Sequence, residues 1–85
     1  MDIHFTRHAI AKFKILKRHG VTLSKQKILT TIESPETIDS SRSPLLIAQS
    51  ELDETHILRV VYKRQEGVII VITFYPGRTS HYGKK

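Results

Sequence analysis

The side chains of this sequence best suited to chemistry are its histidines, its tyrosines and one arginine inside an apolar run. An unperturbed imidazole titrates near pH ~6.5, so His8 or His81 can serve as general base or general acid at neutral pH. Arg59 lies within Ile57-Leu58-Arg59-Val60-Val61. There its permanently charged fork must meet water, a carboxylate or a phosphate. A purely structural partner for it is Glu66 across the next hairpin, or an acidic residue of a partner protein. Tyr62 or Tyr82 can donate a proton or stack on a base.

Other chemistries find less support. His4 and His8 are four residues apart, but a helix capped at Thr6 leaves His4 outside it, and the chain has no cysteine. No zinc site or other cofactor is expected on that basis. No serine occupies a nucleophile elbow, and the four glycines are isolated, which leaves no phosphate-cradling loop.

The elements that must position these residues are short. Thr6 is a suitable N-cap for a helix whose Ala9, Ile10, Phe13 and Leu16 recur at helical spacing. Gly20 fits the left-handed position that ends it near His19, with Val21 folding back on Leu16. Thr22 or Ser24 caps a second helix, carrying Ile28, Leu29 and Ile32, that stops at about Glu33 before Ser34-Pro35. The pattern then turns extended. A weak strand over Thr37 to Ser40 precedes one opened by Pro44 and running through Gln49. The third, His56 to Lys63, puts Leu58, Val60 and Tyr62 on one face and Ile57, Arg59, Val61 and Lys63 on the other. Residues Arg64-Gln65-Glu66-Gly67 connect it to Val68 to Tyr75, read as the central strand and ended by Pro76-Gly77. The expected fold is α+β, with both helices on one face of an antiparallel sheet of about four strands. Residues 77–85 read as a mobile tail.

The chain has 85 residues, which bounds it to a single domain with one core, and its formal net charge is +6. Seven cations, Arg7, Lys12, Lys14, Lys17, Arg18, Lys25 and Lys27, fall in the helical half. That is more than solubility needs, and it favours an acidic partner. Met1-Asp2-Ile3-His4 has neither a basic nor an apolar signal region, and no apolar run approaches the ~20 residues of a membrane span. A cytosolic protein with no membrane partner is the expectation. The weak first strand and the proline-opened second leave a sheet edge to which another copy or a partner strand can add.

Taken in order, five motifs resemble a known family. They are His4-Phe5-Thr6-Arg7-His8-Ala9, His19-Gly20-Val21-Thr22-Leu23, Ile32-Glu33-Ser34-Pro35, Ile57-Leu58-Arg59-Val60-Val61-Tyr62 and Ile70-Val71-Ile72-Thr73-Phe74-Tyr75-Pro76. The set resembles a family of small bacterial domains of unassigned function related to the BrnT toxins and, more distantly, to the RelE/ParE toxin superfamily. The likeness runs from about His4 to Tyr82. It implies a RelE-like fold and a metal-independent endoribonuclease of a toxin-antitoxin system, acting on RNA and restrained by an antitoxin protein. His8 and Arg59 are the best positional matches, and Arg78-Thr79-Ser80-His81-Tyr82 is loosely similar to the toxins' carboxy-terminal catalytic region. Such cleavage needs a base for the ribose hydroxyl, a cation for the charged phosphorane and an acid for the leaving oxygen. His8, Arg59, His81 and Tyr82 are the expected catalytic set, with Lys12, Lys63 and Arg78 contacting nucleic acid. The alternative is a binding module without catalysis, whose basic surface grips nucleic acid or a partner protein.

Overall fold

A computed structural model describes residues 2–79 as β1 (Asp2–Phe5), α1 (Arg7–Arg18), α2 (Lys25–Glu33), β2 (Thr37–Asp39), β3 (Leu46–Glu51), β4 (His56–Gln65) and β5 (Val68–Arg78). The strands form one sheet in the order β1-β5-β4-β3-β2. All neighbours are antiparallel except β1 and β5, which run parallel. The α+β class and the two helices are as the sequence implies. The sheet differs, having five strands and mixed direction instead of four antiparallel ones, and its central strand is β4 instead of β5. The extra strand is β1. Its four residues carry almost no local signal, and its ladder comes entirely from the far end of the chain, Asp2 opposite Val68 through Phe5 opposite Val71.

Both helix starts are set by side-chain caps. The Thr6 hydroxyl accepts from the Ala9 amide at 3.1 Å, and the Ser24 hydroxyl accepts from the Lys27 amide at 3.0 Å. At the end of α1, Gly20 takes a positive φ of 84°. The Val21 amide then donates to the Leu16 carbonyl and the Gly20 amide to the Lys17 carbonyl, the paired bonds of a Schellman turn. The α2 helix stops at Glu33, before the residue whose φ and ψ a following proline restricts.

The β4–β5 hairpin closes through Glu66-Gly67 alone, with φ of 54° and 80°, the left-handed pair that a two-residue turn requires. Two prolines fall elsewhere than expected. Pro44 lies in the turn before β3, which begins at Leu46, and Pro76-Gly77 lies inside β5, which runs to Arg78. β1 ends opposite Val71, so beyond it β5 has a neighbour on one side only and tolerates proline's missing donor. Gly77 and Arg78 are therefore strand residues, not tail. His81 and Tyr82 lie outside the described residues.

Period two divides β4 cleanly. Leu58, Val60 and Tyr62 face the helices and join Ala9, Leu16, Ile28, Ile32, Ile69, Val71 and Phe74 in one core. In β5 the alternation slips once, because Val61 pairs with Thr73 and Tyr62 with Val71, leaving Ile72 as an inserted residue. This bulge lets Val71 and Phe74 both point inward and sends Thr73 and Tyr75 to the opposite face. The bulge is tied down by Thr6, whose amide donates to the Val71 carbonyl at 3.1 Å and whose hydroxyl donates to the Ile72 carbonyl at 3.2 Å. On the other side of the core, the Thr31 hydroxyl donates to the Lys27 carbonyl at 2.8 Å and lies 2.7 Å from the Ser50 hydroxyl, joining α2 to β3. Among the described residues no helix is long and apolar enough to cross a membrane.

Thr6 thus holds strand, helix and bulge at once. Replacing it by Ala is expected to cost about 1 to 2 kcal/mol, the usual size for a lost cap, and Gly20→Ala about 1 kcal/mol because of the left-handed φ. Urea unfolding midpoints measure both; an unchanged midpoint for Thr6→Ala contradicts the junction.

Candidate functional site

The sheet separates the expected site residues. Arg59 projects from the face without helices, as the alternation in β4 requires. Its stem passes over Gly77, where a Cβ would lie 3.5 Å from the Arg59 Cδ. Its guanidinium carbon sits 5.8 Å from the centre of the Tyr75 ring. The carboxylate beside it is Asp39 of β2, at 3.6 Å, and not Glu66. Two buried polar atoms on this face, Arg59 Nε and Thr73 Oγ1, have no hydrogen-bond partner. Lys63 shares the same face, half-buried, with Ile70 as its cross-strand neighbour.

His8 lies on the other side of the sheet, exposed in the first turn of α1 next to the fully buried Ala9. An imidazole there and a guanidinium beneath the sheet do not share a substrate atom. Tyr62 is 1% exposed within the core and cannot stack on a base. Lys12 is half-buried on α1, and Arg78 is exposed at the end of β5 opposite His56. Among the described residues of the expected set, only Lys63 shares a face of the sheet with Arg59, and His8 lies apart from both; His81 and Tyr82 are outside the described residues. Among the described residues no three His, Asp or Glu side chains gather as metal ligands.

The helix layer carries a different constellation. From Ile3 to Ile32 the chain holds seven Lys and Arg residues and no carboxylate. Arg7, Lys14, Lys17, Arg18 and Lys25 are all exposed. Among the described residues, none of the seven is in an ion pair. Arg7 occupies the first position of α1, Lys25 and Lys27 the first turn of α2, and neither first turn contains an acidic residue. The partial positive charge at a helix start disfavours cations there, by about 0.3 kcal/mol or more each. Helix stability does not explain this placement.

Beside these cations is a cleft of about 320 Å³ lined by Ile3, Phe5, Ile10, Phe13 and Lys25. Ile10, expected in the core, is 60% exposed. It sits one residue past the buried Ala9, about 100° around the helix, and so leaves the core stripe. Phe5 and Phe13 rings are 6.1 Å apart between centres, Phe13 packs on Phe74 at 4.7 Å, and the Lys25 ammonium lies 5.2 Å from the Phe5 ring centre. Sequence reading overlooked the cleft, although one signal was available. Phe5 immediately before the cap and Ile10 four positions into the helix form the hydrophobic staple pattern, which draws those two side chains to the same spot. A second cleft, of about 330 Å³, lies at the β1–β5 edge with His4, Gln65, Glu66 and Ile70 in its lining. Its carboxylate gives it a mixed character.

The electrostatics of the two faces differ accordingly. Hydrogen bonds from the Ser41 hydroxyl and then the Ser41 amide hold the Asp39 carboxyl below the usual carboxylate range, with Arg59 and Arg42 adding smaller attractions. A carboxyl lowered in the folded state contributes stability above its unfolded pKa and loses it as pH falls through the folded one. Stability should therefore fall on acidification below about pH 4, less so for Asp39→Asn. Carbon-detected NMR titration should find Asp39 below 3.8, moved up further by Ser41→Ala than by Arg59→Leu. The reverse order would make Arg59, and not the serine, its main partner. Comparison with models of protein families, with curated proteins and with solved structures returns no match, so the candidate site stands on its own geometry.

Proposed function

We propose that this protein is a nucleic-acid-binding module that holds a phosphate backbone against α1 and the start of α2 and performs no cleavage. The observation that carries the reading is the stretch from Ile3 to Ile32, which holds seven cations and no carboxylate and of which Arg7, Lys14, Lys17, Arg18 and Lys25 are exposed; Glu33, the last residue of α2, is the first acid after it. Isolated cations on a soluble surface are ordinarily interspersed with acids, which keeps the local field small. Here they are not. A surface so dominated by one sign attracts polyanions and gains affinity by releasing the counterions condensed on them.

Cleavage, the other reading that the resemblance favours, requires a proton-transfer group and a phosphate clamp at one scissile bond. His8 and Arg59 lie across the sheet from each other, which weighs against that pair and favours binding; His81 and Tyr82 lie outside the described residues. Arg59 lies instead beside Asp39 and Tyr75.

Fluorescence anisotropy with labelled RNA and DNA oligonucleotides at several salt concentrations tests the proposal. Engagement of four phosphates by Arg7, Lys14, Lys17 and Lys25 predicts that log K falls with log salt with a slope of about −3, at 0.7 to 0.9 per phosphate. Lys14→Ala should weaken binding to every sequence and flatten the slope by about 0.7 to 0.9, and RNA should be recovered intact in EDTA. Absence of binding at low salt, or binding indifferent to salt, refutes the module. An RNA ladder lost on His8→Ala restores the nuclease.

A further inference from the structure

We infer that the cleft between β1 and α1 accepts one unstacked base of a single-stranded nucleic acid, which makes single strands the preferred ligand of the cationic layer. The inference rests on the nucleic-acid reading above and adds to it the identity of the bound group. Recognition of single strands pairs a positively charged track for the backbone with aromatic or apolar surface for the bases. Both halves are present and adjacent.

Their adjacency follows from helix geometry. Arg7, Ile10, Lys14 and Lys17 are spaced three, four and three residues apart, so they run along one side of α1. Ile10 is at once a member of that cationic row and a wall of the cleft. Arg7 and Lys14 therefore lie before and after Ile10 on that side, about 10 Å apart along the axis. A backbone lying across them passes Ile10, one wall of the cleft. His8, only two residues from Ile10, points about 200° away around the helix and takes no part.

The cleft itself suits a planar, largely apolar group. Its volume of about 320 Å³ falls at the low end of small-molecule sites, room for one ring system and not for a peptide helix with several anchors. Phe5 and Phe13 supply ring surface, with Ile3 and Ile10 as edges. Among the described residues, Lys25 is the one polar side chain lining it, and its ammonium over Phe5 can donate to a ring nitrogen, a carbonyl or the attached phosphate of an incoming base. Among the described residues no carboxylate lines the cleft to repel a phosphate.

Anisotropy titrations with a short single strand, the same strand carrying abasic sites, and a duplex test this directly, all at one salt concentration. The base-bearing strand should bind about tenfold or more tighter than the abasic strand, which keeps the same phosphates. Ile10→Gln, at an exposed position, and Phe5→Leu, which preserves an apolar side chain, should each abolish that difference and leave abasic binding within about twofold. Equal binding of the base-bearing and abasic strands overturns the base cleft while leaving backbone binding intact. No binding of any nucleic acid overturns both proposals, and tighter binding of an acidic apolar peptide than of the strand assigns the cleft to a protein partner instead.

Discussion

The fold turns on the junction at Thr6. Its amide extends the β1 ladder onto the Val71 carbonyl, its hydroxyl reaches the carbonyl exposed by the bulge at Ile72, and the same oxygen caps α1. Three elements meet at one short side chain. Because Ile3 and Phe5 come immediately before it and Ile10 and Phe13 soon after, the angle fixed at Thr6 also fixes the width of the cleft. The bulge contributes on the far side of the sheet. It shifts the β5 alternation so that Phe74 fills the core under Phe13 while Tyr75 turns out to meet Arg59.

Two chemically distinct faces result. Beneath the sheet, Arg59 is held among Asp39, Tyr75 and Gly77, and its charge is partly offset within the molecule. The loose 3.6 Å separation and partial exposure make that pair a modest contributor to stability. Above it, the helical cations have no such counter-charges among the described residues. Unbalanced charge at helix starts weakens the fold slightly. Arg59 has one loosely placed carboxylate neighbour and a buried Nε with no hydrogen-bond partner, whereas the exposed helical cations form no ion pair among the described residues.

The helices were legible in the sequence because their ends are local chemistry. Thr6, Gly20, Ser24 and Ser34-Pro35 each act through neighbours a few residues away. Strand β1 was not, since four residues acquire meaning only when Val68 to Val71 lie beside them. The bulge was hidden for the same reason: nothing near Ile72 announces where a distant threonine hydroxyl will land. Pro76 misled because its missing donor matters only if a neighbour occupies that side of β5, and β1 has already ended. At the site, the strand alternation that turns Arg59 away from Leu58 and Val60 already implies its separation from any side chain on the helices. Ile10 is apolar and near Ala9 in sequence but about 100° from it around α1, so its side chain leaves the core and lines the cleft.

The most direct measurement of the central claim is a chemical-shift map of isotope-labelled protein titrated with a short single-stranded oligonucleotide. Perturbations should centre on Phe5, Arg7, Ile10, Lys14 and Lys25, while Arg59, Tyr75 and Asp39 remain in place. Perturbations centred instead on Arg59 and Tyr75 would put the binding surface beneath the sheet and contradict the account.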